Sequence, residues 1–352
     1  MKGEFWGGRR VFVTGVTGFK GSWLALWLRE FGARVVGYSL PPPTRPSLFE
    51  LAGLADSLEW IEGDVRDLAR LRRTLRAAAP EVVFHLAAQP LVRASYELPV
   101  ETFETNLLGT VHLLDAARDE ASVRAVVVIT SDKCYENREW CWPYREDDPL
   151  GGHDPYSASK ACAEVAASAY YRSFLRARGV GVATARAGNI VGGGDWARDR
   201  IVPDSIAALS RRESVLVRSP SSERPWQYVL DPLRGYLSIA ERLAIEPATF
   251  SQPWNFGPDP DAVRSVAEIV GAICETWGGG VGWHAPEAQQ HHEAQLLALD
   301  ASKARRVLGW RPRLGFTQAV QWTVAWYKAH QGGEDMRDFT LRQLRAYEDL
   351  SP

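Results

Sequence analysis

Tyr156 and Lys160 stand four residues apart in Tyr156-Ser157-Ala158-Ser159-Lys160. Ahead of them an apolar run, Val126-Val127-Val128-Ile129, delivers Thr130-Ser131-Asp132-Lys133. If Ser157 to Tyr171 is helical, as its alanine content predicts, the phenol and the ammonium share one face. A cation beside a phenol favours the phenolate, so the pair could bring Tyr156 down from its ordinary pKa of about 10 to serve as a base near neutral pH. The chain has six lysines, at 2, 20, 133, 160, 303 and 328, against thirty-five arginines. Its ordinary surface cations are therefore arginines, which cannot give up a proton, and a lysine marks a place where a compact or titratable ammonium is wanted. Taken alone, the pair could equally be a helix face with a solvated lysine.

The surrounding elements must decide. Residues 9–14, RRVFVT, read as a short buried strand. Gly15-Val16-Thr17-Gly18-Phe19-Lys20-Gly21 follows and opens the periodic helix SWLALWLREFG. Glycines at 15, 18 and 21 permit a tight turn, close approach of a pyrophosphate and helix-on-strand packing, with phosphates over the helix N-terminus. Thr17, Phe19 and Lys20 lie in the same loop. A second strand, ARVVGYSL, ends in Tyr38-Ser39 where NAD enzymes often carry an acid for the ribose, and Arg45 nearby suits a 2'-phosphate, so NAD and NADP both stand. A third strand ends at Asp64-Val65, placed to read an adenine, while Asp67 is the better N-cap for DLARLRRTLRAAA. The fourth, EVVFHLAAQP, ends in Leu86, Ala87 and Ala88, small enough to let backbone approach a ligand, with Gln89 next. Asn106 sits among apolar neighbours and is expected to pin backbone near the site.

Strands alternating with crossover helices, with ligand motifs at the strands' carboxyl ends, predict an α/β fold. We expect a doubly wound parallel sheet (Rossmann) with a smaller mixed C-terminal substrate-binding domain. The dinucleotide-binding part is expected over 1–188 and 226–253, and the substrate part over 189–225 and 254–352. The residues from Gly332 onward are polar enough for a loosely held tail or an oligomer arm. A net charge of -2 over 352 residues gives no electrostatic reason to expect nucleic acid or an anionic membrane. The start of the chain lacks a signal-peptide apolar core and no apolar run is long enough to span a bilayer, so a cytoplasmic protein is expected. Four cysteines without metal-ligand spacing predict reduced thiols and no metal site. His291-His292 has no Cys near it in sequence and reads as a solvent-facing pair, not as metal ligands.

The motifs Thr14-Gly15-x-x-Gly18-x-x-Gly21, His85-Leu86-Ala87-Ala88, Asn106 and Tyr156-x-x-x-Lys160 together resemble the extended short-chain dehydrogenase/reductase superfamily. Longer strings narrow this. Residues 17–24 (TGFKGSWL), 130–137 (TSDKCYEN), 151–160 (GGHDPYSASK), 189–197 (NIVGGGDWA), 199–204 (DRIVPD) and 224–232 (RPWQYVLDP) are similar to the CDP-glucose branch of the nucleotide-sugar 4,6-dehydratases. The TDP branch carries Thr-Asp-Glu where this chain has Ser131-Asp132-Lys133.

That resemblance implies a tightly held NAD, a CDP-glucose or related substrate and a homodimer through a helix pair. It also implies roles. Tyr156, supported by Lys160 and with Ser131 on the same oxygen, would take the C4 hydroxyl proton. Asp132, if protonated, would give a proton to the departing C6 hydroxyl. Lys133 would take the C5 proton if neutral, or else orient Asp132 or stabilise an enolate. Around the substrate it implies Gln89, Asn189, Arg198, Arg224, Gln227 and Tyr228, with Arg224 first for the diphosphate or else stacked on Trp226. Arg186, Arg198 and Arg200 form a modest cluster suited to phosphates. A nucleotide-sugar 4-epimerase, a dehydratase for another nucleotide and a non-catalytic dinucleotide-binding protein are the alternatives.

Overall fold

The computed structural model describes residues 3–259, 262–286 and 296–350; His291-His292 lies outside them. Seven strands build the central sheet: β1 (Arg10–Thr14), β2 (Arg34–Ser39), β3 (Glu59–Glu62), β4 (Val82–His85), β5 (Ala125–Ile129), β6 (Gly181–Arg186) and β7 (Pro253–Asn255). They are all parallel, in the spatial order β7-β6-β5-β4-β1-β2-β3. β5 is apolar throughout and every one of its residues is buried, as coverage of both faces of the sheet requires. Strand order reverses between β1 and β4, and that reversal opens a crevice at the carboxyl ends.

The labelled helices are α1 (Phe19–Glu30), α2 (Leu68–Ala78), α3 (Gly109–Arg118), α4 (Pro155–Tyr170), α5 (Ile201–Ser210), α6 (Leu230–Ile245), α7 (Val266–Trp277), α8 (Phe316–Gln331) and α9 (Met336–Asp349). Trp23 and Trp27 of α1 join Leu233 and Leu237 of α6 in a core on one face of the sheet. Leu71, Leu75, Leu113 and Leu114 of α2 and α3, with Ala167 of α4, fill the other. Local chemistry starts the helices, at Asp67 as the sequence predicts and, for α4, two residues before the expected Ser157. Asp67 caps α2 by accepting from the Arg70 amide, and Asp154, followed by Pro155, caps α4 by accepting from the Ser157 amide at 2.9 Å.

Beyond the sheet, Ile190–Val191 pairs with Gln227–Tyr228, Val215–Leu216 with Trp283–His284, and Glu223–Pro225 with Val263–Ser265. α5 and α8 pack against α7.

Two expectations need correction. β7 runs on to Asn255, so a boundary between 253 and 254 would cut a strand of the main sheet. The stretch after Gly332 is not a loose tail. Its polar composition hides a stripe, Met336, Leu341, Leu344 and Tyr347, that is buried along one side of α9. The Tyr347 ring meets Trp27 edge-on at 5.7 Å between centroids, and its hydroxyl donates to Asp231 at 2.6 Å.

Candidate active site

A cleft of about 2260 Å³ follows the carboxyl ends of the strands. That is more than twice the volume of about 1,000 Å³ at which single small-ligand pockets end, so two extended ligands can share it. Gly15 begins the first wall with φ +70, and a Cβ there would come within 2.6 Å of the Ala87 amide nitrogen. The glycine thus lets the turn after β1 lie against the end of β4. Thr14 reinforces the junction: its hydroxyl accepts from the Ala87 amide at 3.2 Å and pairs with His85 Nδ1 at 2.7 Å. Gly18 caps α1 without any side-chain hydrogen bond, which leaves the first amides of the helix to a ligand. Thr17, Phe19, Lys20, Gly21, Asp64, Val65, Leu86, Ala87 and Ala88 all line this wall. A cradle that any Cβ would fill, beneath an uncapped helix N-terminus, fits a dinucleotide pyrophosphate.

At the adenosine end, Asp64 is engaged by Arg66, whose Nη2 donates to it at 2.6 Å and whose amide donates at 2.8 Å. Burial pushes the Asp64 carboxyl up, but those bonds and the guanidinium charge outweigh it and hold the group below the usual range. Ser39 at the end of β2 accepts from Trp60 Nε1, and Arg45 pairs with Glu50 at 3.5 Å. Asn106 does pin backbone: it accepts from the Gln89 amide at 2.8 Å, and its Nδ2 donates to the Gln89 carbonyl and to Ser159 Oγ.

The catalytic wall is a clasp between β5 and α4. Three side chains one helical turn apart meet three consecutive residues. Tyr156 hydrogen-bonds with Ser131, Lys160 Nζ donates to the Ile129 carbonyl at 3.3 Å, and Glu164 accepts from Thr130 Oγ1 at 2.5 Å. Ser131 Oγ in turn donates to Asp132 at 2.9 Å, and Asn189 Nδ2 donates to the other Asp132 oxygen at 3.3 Å. Asp132 is 1% exposed. It fits there because residue 188 is glycine, since any Cβ would collide with the Asp132 carboxylate. Lys133 is half-buried on the cleft wall.

The electrostatics differ from the expectation. Burial pushes the Tyr156 phenol up to about 12; the Ser131 hydrogen bond and the Arg200 guanidinium pull it down, while Asp132 and Asp154 oppose them. The Lys160 ammonium donates to the Ile129 carbonyl. Burial brings Lys160 itself down to about 8, against the raising influence of Glu164 and Cys134. Lys20, on the neighbouring wall, is driven down as well. Desolvation, then Lys160 and Arg200, lower Lys20 to about 7, with Asp132 and Asp195 opposing.

On the substrate side the cleft is lined by Gln89, Asn189, Arg198, Arg200, Arg218, Arg224 and Trp226. Three sequence expectations change here. Gln227 and Tyr228 lie in the core and not on the cleft. Gln227 Nε2 donates to the Gly188 and Phe256 carbonyls, and the Tyr228 hydroxyl donates to Gln343. Both are 1% exposed or less, because their two-residue strand pairs with Ile190–Val191 under α8. Arg186 is not a phosphate ligand either; it is buried in an ion pair with Glu164 at 2.9 Å. The Gln89 side chain is spent on Leu91 and Thr102. Sequence reasoning missed Glu164, Gly188 and the Arg200–Asp195 pair at 2.7 Å. Glu164 had a visible signal, since it continues the Tyr156, Lys160 spacing by one more turn.

A Rossmann sheet, a phosphate cradle and a Tyr-Lys pair beside a buried acid are the architecture of an extended short-chain dehydrogenase/reductase. The family described as GDP-mannose 4,6 dehydratase matches residues 12–252, and the chain belongs to it. The CDP-glucose 4,6-dehydratase of Salmonella typhimurium is 52% identical over 349 residues, which cover 98% of this chain and 97% of that protein. The UDP-glucose 4-epimerase of Mycolicibacterium smegmatis is 30% identical over 91% of this chain and 98% of its own. Among solved structures, the dTDP-glucose 4,6-dehydratase DesIV from Streptomyces venezuelae, determined with NAD bound, superposes with TM-score 0.79. It has 26% identity and the match covers 93% of this chain and 99% of that one.

Proposed function

We propose that this chain is a CDP-D-glucose 4,6-dehydratase that uses NAD and releases CDP-4-keto-6-deoxy-D-glucose and one water. The observation that carries the reading is a second proton-handling group, buried Asp132, beside Tyr156 in one cleft. A 4-epimerase needs a base at C4 but no acid for a leaving hydroxyl. The likeness to the Salmonella enzyme supports cytosine as the base, and the likeness to the NAD-bound DesIV structure supports NAD as the cofactor.

Bound in the glycine cradle, NAD supplies a reversible hydride acceptor, which serves C4 first and C6 last. The C5 proton of a hexose is not acidic until C4 is a ketone. Tyr156 removes the C4 hydroxyl proton, with Ser131 holding the same oxygen. A phenol near 12 is protonated at neutral pH, so Tyr156 serves as the base once a positive charge, which the nicotinamide ring would supply, lowers it against the effect of burial. Loss of the C5 proton to Lys133 and protonation of the C6 hydroxyl by Asp132 expel water. A proton returned to C5 and a hydride to C6 complete the 4-keto-6-deoxy product. Asn189 and Ser131 hold both Asp132 oxygens, and this fixes the acid's orientation.

The test is to incubate the purified protein with CDP-, TDP-, GDP- and UDP-glucose and weigh the products. Loss of one water from the CDP sugar is expected. An unchanged mass with inverted C4 would make the chain an epimerase. In Lys133→Met, solvent deuterium should no longer enter C5; undiminished entry would remove the lysine from that role. The reading also carries a cytoplasmic setting, supported by four unpaired cysteines. It further carries a homodimer through large-domain helices, supported by exposed Leu108, Val165 and Phe174. Sedimentation of the protein checks the dimer.

A further inference from the structure

Glu164 sits four residues beyond Lys160 on the same face of α4, and its side chain is 3% exposed. Each carboxylate oxygen takes two hydrogen bonds. Oε1 accepts from Thr130 Oγ1 at 2.5 Å and from Arg186 Nε at 2.9 Å. Oε2 accepts from Thr184 Oγ1 at 2.5 Å and from Arg186 Nη2 at 2.9 Å. Arg186 Nη1 reaches on to the Tyr135 hydroxyl at 2.7 Å and to the Glu146 carbonyl. Tyr135 then donates to Asn255 Oδ1 at 2.7 Å, and Asn255 Nδ2 donates to the Tyr144 and Asp300 carbonyls. One buried carboxylate therefore ties together β5, β6, the loop after the catalytic turn and the C-terminal part of the chain.

An ion pair this deep is a costly way to gain stability, since apolar residues of equal volume commonly do as well. Its position suggests another purpose. Thr130 immediately precedes Ser131 and Asp132, and Lys160 lies one turn back along the helix. We propose that Glu164 is a positioning residue of the reaction, which holds the Ser131–Asp132 turn through Thr130 and supplies the negative charge opposite the Lys160 ammonium. The Tyr-x-x-x-Lys pair thereby extends by one turn to Tyr156-x-x-x-Lys160-x-x-x-Glu164, of which Tyr156 lines the cleft. This inference rests on the α4 face and not on which nucleotide the substrate carries.

The groups that act on Lys160 define the pH signature. Glu164 faces it from α4, Cys134 from the turn after β5, Lys20 from α1 and His85 from β4. Burial, helped by Lys160, drives His85 down to about 3, so it stays neutral over the working range. Cys134 is pushed up by its burial and also stays neutral. Glu164 is the negative charge that keeps Lys160 protonated up to about pH 8.

The experiment measures kcat and KM against pH for the NAD-loaded protein with its nucleotide-sugar substrate. In Glu164→Gln the alkaline limb should move down by on the order of one pH unit. Because the single variant strands the Arg186 charge, Glu164→Gln/Arg186→Met keeps the buried region neutral and should show the same displacement. Thr130→Val leaves the ion pair intact; here kcat should fall about tenfold with KM unchanged and the limb in place. A limb that stays put in both charge variants while only the melting temperature falls overturns the charge role. An unaltered kcat in Thr130→Val overturns the tether. If no nucleotide sugar turns over even in the parent chain, it is the dehydratase reading that fails, and NAD retention and the melting curves still report the network.

Discussion

The two walls of the cleft are held together by different means. On the catalytic wall three charged groups are held by protein partners: Asp132 has Ser131 and Asn189, Lys160 has the Ile129 carbonyl, and Glu164 has Arg186 and two hydroxyls. On the substrate wall three arginines are parked on aspartates. Arg200 pairs with Asp195 at 2.7 Å, Arg218 with Asp199 at 2.9 Å, and Arg93 with Asp199 at 3.3 Å. A phosphate arriving there exchanges one anion for another, whereas a sugar arriving at the catalytic wall meets groups already oriented. Preorganisation is concentrated where charge moves in the reaction, and adjustability where the substrate is recognised.

Substitutions should divide along the same line. The largest effect belongs to Tyr156→Phe, which should lower kcat on the order of a thousandfold while the protein still binds NAD and substrate. Turnover within tenfold of the parent would end the assignment of Tyr156 as the base. Asp132→Asn should slow water loss about a hundredfold, and if C5 exchange persists the two proton transfers belong to different residues. Arg224→Ala should raise KM about tenfold with kcat within a factor of two. A kcat effect as large as that of Asp132→Asn would erase the distinction between the walls. Smallest is Tyr228→Phe, which should cost about 1 kcal/mol in denaturant unfolding and leave KM alone. A raised KM there would return Tyr228 to the substrate.

Local patterns made the catalytic wall readable from sequence. An apolar run announces β5, alanine content announces α4, and a spacing of four puts Tyr156 and Lys160 on one face. The glycine loop before α1 is equally local. Arg186 was misread because a buried guanidinium looks like a surface one until its partner is known, and Glu164 lies 22 residues away on another element. Gln227 and Tyr228 follow an arginine and a tryptophan that do line the cleft, but a two-residue strand turns both inward. The lowering of Lys20 was hidden for the same reason. Nothing near it in the chain carries Lys160, Arg200 or Asp195. Burial of polar groups is a property of tertiary pairing, and periodicity does not report it.

The docking of α9 also bears on how the molecule is made. Arg345 reaches Glu30 across 315 residues of chain, Arg337 donates to the Ala52 carbonyl, and Tyr347 covers Trp27. During synthesis the phosphate loop and α1 emerge long before the helix at 336–349, and the outer side of α1 stays uncovered until that helix has been translated. The nascent dinucleotide half must therefore wait with a tryptophan face open to water, to chaperones or to other chains, and its completion is set by the last helix described here.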